Sequence, residues 1–262
     1  QGQPDSDKPV AELWFGAHPG DPSTVDGRLL NEVIAEDPAG QLGGRVSAEY
    51  GERLPFLLKV LAAEEPLSLQ AHPSKAQAEE GFARENAAGI ELTASNRNYK
   101  DDNHKPELIV ALTDFYAMAG FRPLARTREL FAALECPELD HYVAMLDDDP
   151  SATTESANLR VLFTTWITIP AAKRKELISA IVAAGERLIA ADPTDWKSRV
   201  MSTVLDLNQR YPGDIGVLGA LLLNHIELSP GEAVYLDAGQ LHAYVSGPVS
   251  YTHLRAHETK AN

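Results

Sequence analysis

Three short stretches of the 262-residue chain hold side chains from which chemistry could be built. In Ser68-Leu69-Gln70-Ala71-His72-Pro73, a strand would set Gln70 and His72 on one face, because side chains two apart along a strand point the same way. An amide oxygen and an imidazole would then converge as a strand presents metal ligands; a polar edge strand stopped by Pro73 is the plainer alternative. In Asn103-His104-Lys105-Pro106-Glu107, a carboxylate opens the apolar run Glu107 to Leu112. A charge entering a buried strand needs a compensating cation. Lys105 could supply it, and so could a metal ion, leaving Lys105 to face a substrate; an exposed Glu at a strand end would need neither. In Gly231 to His242, a glycine opens a strand, Asp237-Ala238-Gly239 turns it, and His242 stands just inside the next strand. Together Gln70, His72, Glu107 and His242 offer only nitrogen and oxygen donors, a plausible zinc set. Two neutral imidazoles, one amide and one carboxylate leave the ion net positive, a Lewis acid able to stabilise negative charge on a substrate oxygen.

These residues need elements to position them, and the chain has two textures. Up to about Phe121, short apolar runs alternate with Pro and Gly. Leu54 to Leu61 and Glu107 to Leu112 read as buried strands, with Asp102 to Pro106 a polar loop. From Arg122 to Tyr211 the period becomes helical. Ala171 to Ala191 places Leu177, Ile178, Ile181, Val182, Leu188 and Ile189 on one face. A second helix runs from about Thr194 to Arg210, stopped by Pro212-Gly213-Asp214, and Arg128 to Glu135 reads as a shorter one. Strands return at His225 to Leu228, Ala233 to Leu236 and Leu241 to Val245. The order predicts a mainly β fold with a helical insertion, so that both β portions share one core. The expected divisions are a first β domain over 1–121, helices over 122–224, a returning or second β barrel beginning at 225–247, and a tail over 248–262. The acidic run Asp147-Asp148-Asp149 reads as a solvated loop.

Composition narrows the partners. With 23 Lys+Arg against 38 Asp+Glu, the formal net charge is −15, which argues against nucleic acid, whose phosphates need a basic face. An anionic small substrate remains possible, since a few lysines can override the global sign locally. No apolar run approaches the ~20 residues that cross a bilayer, so no membrane partner is expected. Cys136, the one cysteine, rules out an internal disulfide and a Cys-based zinc site and fits a reducing compartment, with the cytoplasm expected. Gln1 to Pro9 has no apolar stretch of a secretory signal. The missing initiator Met suggests a start inside a longer gene product, or processing.

Gly231 to His242 resembles the second motif of the cupin superfamily, G-x5-P-x-G-x2-H, with Asp237 in place of the proline. SLQAHP, NHKPELIVAL and GQLHAY, in this order around a helical region, resemble type I mannose-6-phosphate isomerase (phosphomannose isomerase). Ala11 to Pro19 and Leu54 to Leu61 also match that family, and the likeness runs from about Val10 to Gly247. The resemblance implies a cupin-type jelly-roll β-sandwich or barrel plus an all-α domain. It implies one Zn2+ per chain, held by Gln70, His72, Glu107 and His242. It further implies Lys59, Ser68, Tyr244 and Glu12 around a sugar-phosphate substrate, Lys105 in catalysis, and a monomer. His18, His104 and Trp14 would line or support the walls. The reaction implied is interconversion of mannose 6-phosphate and fructose 6-phosphate through a cis-enediol(ate), feeding mannose activation to GDP-mannose. No Gly-rich phosphate loop is present, so side chains would hold the phosphate.

Two departures from the family pattern stand out. Its N-terminal strand with a Trp-Gly pair is absent. After Gly247 the chain reads PVSYTHLRAHETKAN, where family members carry a Glu, an asparagine-rich turn and a catalytic arginine. Tyr251 falls where that Glu is expected, and Arg255 lacks the family context. His253 and His257 are not expected as ligands. A chain truncated at both ends with a foreign tail lacking strand alternation is the expectation. Another metal-dependent cupin enzyme, such as an oxygenase, would favour iron and a first motif with two histidines. A catalytically silent sugar-phosphate-binding module is the other alternative.

Overall fold

The computed structural model describes residues 12–146 and 152–254. The chain begins with β1 (Glu12–Phe15), the hairpin β2 (Thr24–Val25) and β3 (Arg28–Leu29), and three short helices, α1 (Leu30–Glu36), α2 (Pro38–Leu42) and α3 (Gly44–Tyr50). Then follow β4 (Phe56–Ala63), α4 (Lys75–Ala87), β5 (Glu107–Ala111) and β6 (Phe115–Phe121). The helical part comprises α5 (Leu124–Leu134), α6 (Pro137–Val143), α7 (Ala152–Thr168), α8 (Ala171–Ala191), α9 (Trp196–Arg210) and α10 (Ile215–Ala220). Finally β7 (Leu223–Leu228), β8 (Ala233–Leu236) and β9 (His242–Leu254) return to the sheet. The expected order of strands, helices and strands is what the chain adopts. None of the described helices is long and apolar enough to cross a membrane.

Alternation on the strands sorts side chains into two cores. On β4, Leu57, Lys59, Leu61 and Ala63 point inward, and on β5 Glu107, Ile109 and Ala111 do so. Ala117 and Ala119 of β6 join Tyr244 in the core between the strands, while Met118 and Ala243, one residue along, pack on the helices. The sheet therefore has an inner face that carries the polar side chains and an outer face glued to α5–α10. On α8, Leu177, Ile178, Ile181 and Ala184 form the buried stripe, as the 3.6-residue period dictates.

β9 ties the whole sheet together. Its first half, His242 to Ser246, pairs with β6, and its second half lies between β4 and β5. A one-residue shift between Tyr244 and Ser246 opposite Ala117 and Tyr116 marks a bulge, which reverses which parity faces inward. Tyr244 and Tyr251, seven residues apart, consequently both face the inner core with ring centroids 6.0 Å apart. Gly247 follows the bulge at φ 107°, where an added Cβ would stand 2.5 Å from the Asp114 carbonyl oxygen. That turn needs glycine.

Three expectations need correcting. Residues 248–254 were expected to lack strand character, yet they continue β9, with Val249 and Tyr251 buried. The bulge puts them out of phase with His242 and Tyr244, which hides the alternation. Ser68 to Pro73 is not a regular strand: only Gln70 bridges, to His242. The first third also contains helices where only strands and irregular connections were expected. Arg255, His257 and the run Asp147–Asp149 lie outside the described residues.

His225 on β7 donates its Nε2–H to the Ala220 carbonyl oxygen at 3.1 Å. Burial, opposed by that hydrogen bond and reinforced by the Arg122 charge, lowers its pKa to about 4. An unfolded histidine titrates near 6.5, so between these values the unfolded chain binds the extra proton and stability falls as pH falls. Allowing for partial exposure, this one group should cost about 1–2 kcal/mol between pH 7 and pH 5. Urea unfolding of wild type and His225→Asn at both pH values should show the larger loss in wild type; equal losses would contradict the neutral, buried state.

Candidate metal centre and its cleft

Glu107 opens β5 on its inner face and is only 2% exposed. Its carboxylate meets His72, His242 and Tyr244. His72 Nε2 lies 3.0 Å from Oε1, and His242 Nε2 lies 3.4 Å from Oε2. The Tyr244 hydroxyl donates a hydrogen bond to Oε2. A donor atom from each of His72, Glu107 and His242 lies within 4.8 Å of the others. The His242 tautomer is set by the backbone, because its Nδ1–H donates to the Gln240 carbonyl oxygen at 2.9 Å. Its Nε2 lone pair is then left to face Glu107, as in histidines that bind metals.

The donor chemistry fits a divalent cation. Two atoms bound tetrahedrally to one ion at ~2.0–2.1 Å stand about 3.3 Å apart, close to the His242–Glu107 spacing. An ionised carboxylate buried among two imidazoles and a phenol is costly unless a cation meets it. These three residues could therefore hold a metal ion.

Gln70 is delivered by strand register. After β4, the chain keeps running antiparallel to β9: Leu67 N–H donates to Tyr244 O at 2.9 Å, and Gln70 and His242 exchange two backbone hydrogen bonds of 2.8 Å. Directly opposed residues present side chains on the same side, so Gln70 shares the side of His242 while remaining exposed. His72 follows where its carbonyl accepts from Gly239 N–H at 2.6 Å. Thus the start of β9 and the turn that leads into it seat both ligand candidates of the first motif.

A second polar group sits along the same inner face. Lys59 is 1% exposed, opposite Trp14 on one side and Tyr251 on the other. Its Nζ lies 3.6 Å from Glu12 Oε2 and 4.5 Å from the Trp14 ring centroid. Glu12 also accepts from Trp14 Nε1 at 2.8 Å and from the Tyr251 hydroxyl at 2.7 Å. Burial pushes the Glu12 pKa up, but those hydrogen bonds and the Lys59 charge outweigh it, and the carboxyl is held below its usual value. Glu12 is therefore ionised at neutral pH and balances the buried lysine.

Other expected site residues have partners of their own. Lys105 Nζ pairs with Asp101 Oδ2 at 3.1 Å. The Tyr244 hydroxyl is bound to Glu107. Ser68 is exposed and lines a cavity of about 200 Å3 with Leu207, Tyr211 and Val217, on the helical side. His18 accepts from Gly20 N–H at 3.0 Å and meets Trp14 edge-on. His72 opens on a larger cavity of about 890 Å3, whose walls include Arg84 and Arg160. Neither arginine was singled out from sequence, since α4 and α7 bring them together only in three dimensions. Glu85 supports that wall: it accepts from the backbone N–H groups of Asn98 and Tyr99 and pairs with Arg97 at 3.1 Å.

Comparison with known proteins agrees with this geometry. Residues 2–124 match the family model for the phosphomannose isomerase type I catalytic domain. The chain is 39% identical over 249 residues to the mannose-6-phosphate isomerase of Escherichia coli K12, covering 92% of this chain and 59% of that protein. It is 36% identical over 261 residues to mannose-6-phosphate isomerase 1 of Arabidopsis thaliana, covering 93% of this chain and 56% of that one. Among solved structures, the Salmonella typhimurium enzyme bound to fructose 6-phosphate and zinc superposes with a TM-score of 0.79 at 36% identity, over 95% of this chain and 60% of that one. A mannose 6-phosphate isomerase bound with zinc and yttrium gives 0.80 at 36% identity, again over 95% and 60%. The chain thus spans about three fifths of the length of the relatives it matches. Sequence and fold agree that, over the part of those proteins' length it spans, the chain is similar to type I phosphomannose isomerases.

Proposed function

We propose that this chain carries the metal centre of a zinc-dependent aldose–ketose isomerase that interconverts mannose 6-phosphate and fructose 6-phosphate. The observation that carries this reading is the buried cluster of His72, Glu107 and His242 in a chain related to enzymes of that name. Gln70, His72, Glu107 and His242 would hold one zinc. Bound there, zinc supplies a Lewis acid that polarises a substrate oxygen.

The remaining work falls to the chain's own groups. Tyr244 fixes the Glu107 carboxylate and the Gln240 carbonyl fixes the His242 ring, so the ligands are oriented before any substrate arrives. Arg84 and Arg160, in the cavity that His72 adjoins, are placed to hold a phosphate by side chains. Lys59 and Glu12 form a neutral pair able to orient sugar hydroxyls from the neighbouring strands. Proton transfer between C2 and C1 through a cis-enediol(ate) needs a group that both takes and returns a proton. We assign Lys105, whose ammonium pairs with Asp101, to neutralising the negative charge that develops on the enediolate oxygens, and leave the proton transfer itself to another group. The product would supply mannose activation to GDP-mannose in the cytoplasm, where the free thiol of Cys136 stays reduced.

Metal analysis and a coupled isomerase assay test this together. One zinc per chain is expected, removed along with turnover by a chelator and restored with it. Glu107→Ala should lose the zinc and lower turnover by more than about 100-fold, beyond what loss of a supporting residue costs. Turnover persisting in metal-free protein would overturn the proposal, while zinc and sugar-phosphate binding without turnover, even in a protein with the family's C-terminal part restored, would favour the silent module. Tyr244→Phe should keep the fold by circular dichroism yet weaken zinc about 10–100-fold in a chelator competition. Unchanged affinity would show that its hydroxyl does not hold the Glu107 ligand.

A further inference from the structure

On the outer face of the sheet, a cavity of about 650 Å3 lies between β6, β7 and the helices α5 and α9. Val245 belongs to its wall, whereas the adjacent Tyr244 faces Glu107 on the inner side. The two sites are thus on opposite faces of β9, and none of the cavity's lining residues belongs to the metal cluster. The volume is in the range of small-molecule sites.

Its charge is opposite to that of the molecule. Arg122, Arg126 and Arg199 line it against a single carboxylate, Glu227, in a chain of net charge −15. Arg122 is 5% exposed and donates Nη1 to Leu221 O at 2.9 Å and Nη2 to Leu223 O at 2.7 Å. Those bonds use two of its five N–H groups. Among the described residues no carboxylate pairs with Arg122, and burial, together with the neighbouring Arg126 charge, lowers its pKa to about 10. Arg126 stacks 3.9 Å from the Trp196 ring centroid and reaches Glu129 at 3.1 Å. Arg199 is anchored by one bond, from Nη1 to Thr194 O at 2.7 Å, and the rest of its fork is exposed. His225, kept neutral, adds no charge. A buried guanidinium crowded by like charge is the arrangement that an anion relieves.

We propose that this cavity binds a phosphorylated small molecule. Arg126, Arg199 and the remaining donors of Arg122 take its phosphate, and Val200 and Val245 contact its apolar body. Planar guanidinium forks match the paired oxygens of a phosphate, which sets this ligand class above a neutral one. The site stands independently of the proposed isomerase reaction.

Pyrophosphate titration of the intact protein at constant ionic strength, followed by tryptophan fluorescence, tests this directly. A saturable, single-site change is expected. It should weaken about tenfold or more in Arg126→Gln/Arg199→Gln and disappear in Trp196→Phe. An unsaturable response, equal affinity in the double variant, or a signal surviving in Trp196→Phe would overturn the proposal. The last would place binding beside Trp14 in the inner cleft, since Trp166 is fully buried. Should the double variant fail to fold, Arg199→Gln alone decides: a rise in Kd supports the site and an unchanged Kd refutes it.

Discussion

A carboxylate that opens a strand and ends up almost wholly out of water constrains everything around it. Glu107 is 2% exposed, and two imidazoles and a phenolic hydroxyl are turned toward it. Left alone, that negative charge would be expensive, and a protein carrying it would titrate or distort. A cation among the same donors removes the cost and gives a reason for the convergence of residues 35 and 135 positions away. From Glu107, polar and aromatic contacts run through Tyr244 to Tyr251, then to Glu12 and Lys59, so one inner face gathers the groups that chemistry would use.

The geometry is delivered by one strand. β9 pairs with β6, then switches to lie between β4 and β5, and its bulge and Gly247 make the corner. Strands that change partners through a bulge are how sheets close on themselves. Here the switch has a chemical consequence, because it returns Tyr251 to the face that Tyr244 already occupies. The helices on the other face do a different task. They bury Met118, Ala243 and the apolar stripes of α8 and α9, and so hold rigid the strands that carry Glu107 and His242.

Much of this could be read from residue order. The candidate ligands stood out because Glu107 sits in front of a dense apolar run, and His242 follows a turn of Asp, Ala and Gly. The α8 stripe was legible from its period alone. The helices α1, α2 and α3 were not, since five to seven residues each are too few for a period to emerge. α4 left a usable signal, as Ser74 and Gln77 form a capping box, but its face is too polar to read as a buried helix. The strand beyond Gly247 was hidden by a parity reversal that no periodicity scan in a single phase detects. Arg84, Arg160 and the arginines around Trp196 meet only through tertiary packing, and no local spacing foretells that. Ser68 shows the converse: it sits two residues before Gln70, yet lines a cavity against the helices because the segment is not a regular strand.

Zinc K-edge X-ray absorption of the metal-loaded protein reads the convergence at Glu107 most directly. A first shell of nitrogen and oxygen only, at ~2.0–2.2 Å, with the outer-shell scattering of two imidazole rings, is the expected spectrum. A sulfur shell near ~2.3 Å, or a spectrum without imidazole scattering, would mean that His72, Glu107 and His242 do not share an ion.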